Sequence, residues 1–151
     1  MNATVDRNRL IIPGVAGIYA ALAPYSYTLI RVALGLILIP HGFNKLFLND
    51  AVPASRNFVN FGWAYPLACA YAIGVLEFFG GILLALGLFT RAVALAFTVE
   101  MAVIVFGVLW PNWSWGNRGM EYALFMGVVA LAILLRGGGK LSLDQVMSKE
   151  F

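Results

Sequence analysis

Apolar runs long enough to cross a bilayer, broken by very short polar connections, constrain this chain more than any other feature. The runs cover residues 27–48, 66–89, 92–110 and 120–135, and a membrane-spanning helix takes ~20 apolar residues. Only Thr90-Arg91 separates the second from the third. A connection that tight requires antiparallel neighbours. The fourth run ends at Arg136 and the glycines Gly137, Gly138 and Gly139, a helix stop signal. The pattern predicts an all-α membrane protein: an antiparallel bundle of four transmembrane helices over residues 25–136, a cytoplasmic or interfacial segment over 1–24, and a cytoplasmic tail over 137–151. Residues 10–23 are also apolar, with Arg7 and Arg9 before them and Ala21-Leu22-Ala23 after, which imitates a signal peptide. Pro24 would follow that cut directly, which argues against cleavage. The segment is short for a span and predicts an N-terminal interfacial helix, with a fifth span as the alternative.

Composition narrows the function classes. Of 151 residues, 62% are hydrophobic and 11% charged, so the chain is solvated mostly by lipid and has no room for a separate soluble catalytic domain. Ten Lys and Arg against seven Asp and Glu give a scattered net charge of +3, not the clustered basic stripe that nucleic acid requires. The basic residues report topology instead. Arg7, Arg9, Arg91, Arg136, Lys140 and Lys149 fall on one side of four spans and Lys45, Arg56 and Arg118 on the other, which predicts both termini in the cytoplasm. Trp63, Trp110, Trp113 and Trp115 fall in or beside the outer loops, as an interfacial anchor would. A single cysteine, Cys69, excludes an intrachain disulfide or CxxC pair and reads as core packing. A single histidine, His41, excludes a bis-histidine haem or di-iron carboxylate site within one subunit.

Six ionisable residues fall within or at the ends of the apolar runs: Arg31, His41, Lys45, Glu77, Glu100 and Glu121. Such groups persist in membranes when they pair or line a functional cavity. Depth along each run sorts them into two levels: Arg31 reaching Glu77 or Glu100 as a buried ion-pair network, and His41, Lys45 and Glu121 as the wall of a polar cavity in the outer half. Ala70, Gly74, Gly81 and Ala85 flank Glu77, and Ala96, Val103 and Gly107 flank Glu100. Small residues on one stripe let helices approach closely, so both acids are expected to face protein. Pro40 removes the bond to the Leu36 carbonyl, and the Pro40-His41-Gly42 step predicts a kink that makes space. The set reads either as structural ion pairs or as a cavity for a small polar molecule such as a quinone headgroup, whose carbonyls accept hydrogen bonds from His, Lys or Arg.

The chain resembles the DoxX family of small membrane proteins. The matching elements are Arg31 and Gly35, then His41-Gly42-Phe43-Asn44-Lys45; Glu77-Phe78-Phe79-Gly80-Gly81 leading to Gly87 and Thr90-Arg91; Glu121; and Gly139-Lys140-Leu141-Ser142-Leu143-Asp144. The resemblance implies a bacterial or archaeal four-helix inner-membrane protein, in some members linked to quinone-dependent oxidation, to oxidative stress or to membrane oxidoreductase complexes. No haem, flavin or metal motif is visible in the chain, so an oxidase acting alone lacks an electron carrier. The expectation is an accessory subunit of a quinone-linked redox system with no intrinsic cofactor. Its partners would be the bilayer, other membrane oxidoreductase subunits or a second copy of itself. A small-molecule or proton carrier and a structural anchor are the alternatives.

Overall fold

The structure, a computed structural model, describes residues 6–147 and is helical. Its α-helices are α1 (Ala16–Leu22), α2 (Ser26–Phe47), α3 (Ala51–Asn60), α4 (Pro66–Val75), α5 (Gly81–Leu86), α6 (Thr90–Val103), α7 (Glu121–Arg136) and α8 (Leu143–Met147). Two π-helical turns, Leu76–Gly80 and Ile104–Leu109, extend α4 into α5 and lengthen α6. Among the described residues three helical stretches are long and apolar enough to cross a membrane: Pro13–Phe47, Pro66–Leu86 and Thr90–Leu109. The fourth apolar run forms α7, whose 16 residues span roughly 24 Å at ~1.5 Å per residue, less than a ~30 Å hydrocarbon core.

The N-terminal segment does not form a helix set apart from the first span. A 3-10 turn at Ala23–Tyr25 carries the helical path through Pro24, which is tolerated because proline sits in the first turn, where its missing N–H would have had no partner. Pro13 to Phe47 is thus one apolar helical stretch of 35 residues, and α1 buries none of its side chains. Pro40 is accommodated inside α2 with its ring exposed. Lys149, one of the basic residues behind the topology expectation, lies outside the described residues.

Small residues set the register of the bundle. Gly35 faces Gly81 and Ala85 so closely that an added Cβ would stand 2.5 Å from the Gly81 carbonyl oxygen, and Gly42 lies against the backbone of Phe78 and Gly74. The helices can meet this closely only where both lack bulk, the main source of attraction in lipid being packing contact. The Gly35–Gly81 and Gly42–Gly74 contacts make α2 antiparallel to α4 and α5. On the other side α6 packs along α7, with Gly127 against Met101. The shared core is apolar, with Leu34, Leu38, Leu84, Phe97, Met101, Ala130 and Ile133 among its buried side chains. Leu29, Phe106, Phe125 and Leu135 are exposed on the outside, as lipid-facing side chains would be.

One end of the bundle is closed by the tail. Gly87 ends α5 in a left-handed conformation, with Gly87 N–H donating to the Leu84 carbonyl and Leu88 N–H to that of Leu83. Asp144 accepts from the N–H groups of Phe89 (2.8 Å) and Thr90 (2.9 Å), capping α6. Arg91 donates to the carbonyls of Leu134 (2.8 Å) and Leu135 (3.2 Å), capping the C-terminus of α7. These charges sit where the helix dipoles favour them. Arg31, 1% exposed, donates to the carbonyls of Leu84 (3.2 Å) and Leu141 (2.6 Å), with its Nε left unpartnered. The Tyr27 hydroxyl donates to the Gly137 carbonyl, and the Arg136 guanidinium lies 4.2 Å from the Tyr27 ring centroid.

The expected pairing of Arg31 with Glu77 or Glu100 therefore does not form. The register explains it: Gly42 lies opposite Gly74 and Phe78, so Glu77 is level with the Lys45 end of α2. Arg31 is eleven residues before Gly42 in the chain, roughly 16 Å along the helix.

Candidate functional site

At the opposite end, the two halves of the bundle part. α5 packs against α6 near their tight turn, whereas α4 makes no such extended contact with α6, so the helices diverge away from Gly87. The fork holds a cavity of about 910 Å³. Its walls are mostly apolar, from Ile73 and Leu76 on one side to Val99, Val103 and Ile104 on the other. The helix α3 and the loop after it cover it with Phe58, Phe61 and Trp63. Gly107 makes that cover possible, because a Cβ there would stand 2.6 Å from the Phe61 ring. Exposed Asn57, Asn112 and Arg118 line its mouth.

Three of the expected ionisable residues meet in this cavity. Lys45 Nζ donates to both oxygens of Glu77, at 2.8 and 2.6 Å, and Glu77 is only 4% exposed. Glu77 sits in the first π-helical turn, a local widening that often marks functional positions. Glu100 comes from α6, is 5% exposed, and lies close enough to Glu77 and Lys45 to feel both electrostatically. No N–H or hydroxyl donor meets its carboxyl oxygens; its side-chain hydrogen-bond contact is the carboxyl of Glu77. Two buried acids held against each other beside a single ammonium leave polar capacity that a dry interior does not satisfy fully, and a polar ligand could meet it.

The other two residues of the expected wall lie elsewhere. His41 is exposed and does not line the cavity. Gly42, the next residue, is the contact point with α4, and one step of ~100° around the helix turns His41 away from that interface. Glu121 begins α7, half-buried, and its N–H donates to the Trp113 carbonyl. Lys45 reaches Glu77 rather than Glu121. Cys69, expected in the core, is half-buried on the cavity wall. Asn57, exposed on α3, and Asn112 and Arg118, in the loop before α7, were not expected at the cavity. Among the described residues no three His, Cys, Asp or Glu side chains come together as metal ligands would.

The lysine and two acids that meet here lie within residues 26–110, and that stretch matches the DoxX family profile. The chain belongs to the DoxX family. The match runs from the start of α2 through the second π-helical turn, so it contains Arg31, Lys45, Glu77 and Glu100 and excludes α7 and the tail. Relatives of this DoxX chain include an uncharacterized protein of Haemophilus influenzae, 32% identical over 135 residues that cover 84% of this chain and 94% of the relative. A Bacillus subtilis protein named "Putative oxidoreductase CatD" is 31% identical over 121 residues, 80% of this chain and 86% of its own length. An uncharacterized membrane protein of Mycobacterium tuberculosis is 29% identical over 142 residues, 85% of each. No solved structure matches significantly.

Proposed function

We propose that this DoxX-family membrane protein is an accessory subunit of a quinone-linked redox system, and that the cavity between α4 and α6 binds the quinone-type headgroup. The cavity itself carries the reading. Its volume of about 910 Å³ lies within the ~300–1,000 Å³ range of small-molecule sites. Its apolar walls suit an aromatic ring, and its buried end offers an ammonium and two carboxylates to ring oxygens. Lys45, held by Glu77, would orient one oxygen, and Glu100 would meet a second polar group. The relative named as an oxidoreductase supports the redox class, and the lack of a visible electron-carrier motif supports a subunit that works beside one.

In this reading α7 completes four spans in the bacterial or archaeal inner membrane, and the tail end of the bundle faces the cytoplasm. Arg91, Arg136 and Lys140 gather at that end, as the positive-inside rule requires. The cavity mouth then faces outward, where Trp63, Trp110 and Trp113 are exposed as an interfacial belt. Solvent extraction of the protein purified in mild detergent tests the function. Quinone recovered with the wild type and lost with the cavity-filling Ala96→Trp supports it; equal recovery from both rejects it.

A structural anchor is the second reading, favoured by the closed Lys45–Glu77 pair. Ion pairs of this kind hold helices together without any ligand. The anchor reading expects wild type and Ala96→Trp to be free of quinone alike.

A further inference from the structure

Resting on the cavity reading above, we infer that the ligand carries a long apolar chain and enters the fork sideways from the bilayer, between α4 and α6, where its chain then stays. The cavity has two openings at different depths. One is the polar mouth at Asn57, Asn112 and Arg118, all exposed and all outside the spans Pro66–Leu86 and Thr90–Leu109. The other lies along the spans themselves, where Ala72 of α4 and Val99 and Val103 of α6 line the cavity and are nonetheless exposed, Val99 at 55%. A side chain that lines a cavity and is also exposed marks the edge of an opening. Val99 stands nine residues after Thr90 and ten before Leu109, so this opening lies near the middle of the span and faces hydrocarbon. α2 contributes Lys45 to the wall, and no residue of α7 or the tail lines the cavity. α3 packs on α4 and covers the outer end with Phe58 and Phe61, leaving the side at Val99 uncovered.

The polar end of the cavity sits at the depth of the side opening. Glu100 follows Val99 directly, and one step of ~100° around the helix turns it inward from the gap. The polar mouth begins beyond Leu109, nine residues on from Glu100, roughly 13 Å along the helix. A headgroup seated at Lys45 and Glu77 therefore has lipid beside it and water well above it. A chain leaving by the mouth would pass the Phe61 ring, which lies close against Gly107, and emerge among an arginine and two asparagines. Its apolar surface would there be returned to water. A chain leaving sideways passes Ala72, which presents only a methyl, and remains in hydrocarbon throughout.

The experiment uses the full chain in phosphatidylcholine nanodiscs. The probe is a dimethoxy-methyl-benzoquinone with a ten-carbon chain ending in a photoactivated diazirine, and the competitor is the same ring with a plain decyl chain. Label that the competitor removes is site-bound, and mass spectrometry maps it. At least about fivefold more of it is expected on the α4 and α6 segments around Ala72, Val99 and Val103 than on Asn57, Asn112 and Arg118. Val99→Trp and Ala72→Trp, which block the side opening from its two walls, should each lower it about tenfold. Asn112→Trp, at the polar mouth, should lower it less than twofold. All three positions are exposed, so none of these substitutions overfills the core.

Site-bound label concentrated at Asn57, Asn112 and Arg118 overturns the inference while leaving the cavity reading in place. Wild-type labelling in both Val99→Trp and Ala72→Trp overturns it too, as does loss of label in Asn112→Trp alone. If the competitor removes no label from the wild type, or Ala96→Trp labels as the wild type does, the cavity reading itself fails and the inference with it.

Discussion

Asp144 and Glu100 are two acids of nearly equal burial, at 3% and 5% exposure, in opposite ends of the molecule. Both oxygens of Asp144 are met by backbone N–H groups at a helix start, and Arg31 lies near enough to act on it electrostatically. No backbone N–H and no cation meets the oxygens of Glu100, which abuts the carboxyl of Glu77, itself already paired with Lys45. One end of the bundle is therefore built by its charges, and the other tolerates one of them. Burial alone does not separate a structural acid from a functional one; the list of donors does.

The comparison predicts a graded set of stabilities, read as thermal or denaturant unfolding in detergent. Asp144→Ala should have the largest effect, about 3 to 5 kcal/mol, because it uncaps α6 and leaves Arg31 buried without its counter-charge. Release of the tail, read as faster proteolysis near Leu141, should accompany it. Lys45→Met should cost about 3 kcal/mol by stranding Glu77, and the double variant with Glu77→Met should recover most of that loss. If the double variant is no better than the single, the pair has further partners. Gly87→Ala should cost about 2 kcal/mol: its φ of +71° strains any side chain, and the new methyl would overlap the Arg31 guanidinium. Glu100→Gln should change stability by less than about 0.5 kcal/mol, since it has no N–H donor to lose and the new amide can donate to Glu77. A loss as large as that of Asp144→Ala would erase the difference between the two ends.

Much of this was legible in the sequence. The apolar runs mark the helices, Thr90-Arg91 marks the hairpin, and the small-residue stripes correctly turn Glu77 and Glu100 inward. Pairing the charges was not legible, because depth estimated from the ends of each run misses how Gly35 and Gly42 slide α2 against its neighbour. That offset carries Lys45 to Glu77 and leaves Arg31 for the tail. His41 shows the limit of spacing: a position four residues from Lys45 shares its face only loosely, and the close contact at Gly42 decides which side is covered. Asp144 stood in the DoxX resemblance without a role. Its role as the cap of α6 depends on a tail that folds back over 50 residues in sequence, from Asp144 to Phe89, and no local pattern encodes such a return.

The central claim, that the fork between α4 and α6 is a ligand site and not a gap in packing, is tested most directly by calorimetric titration of trimethylhydroquinone into wild type and Ala96→Trp. Saturable binding at one site is expected in the wild type, and its loss, by at least about tenfold in affinity, in an Ala96→Trp protein that still unfolds cooperatively at or above the wild-type temperature. Identical isotherms for the two proteins would contradict it.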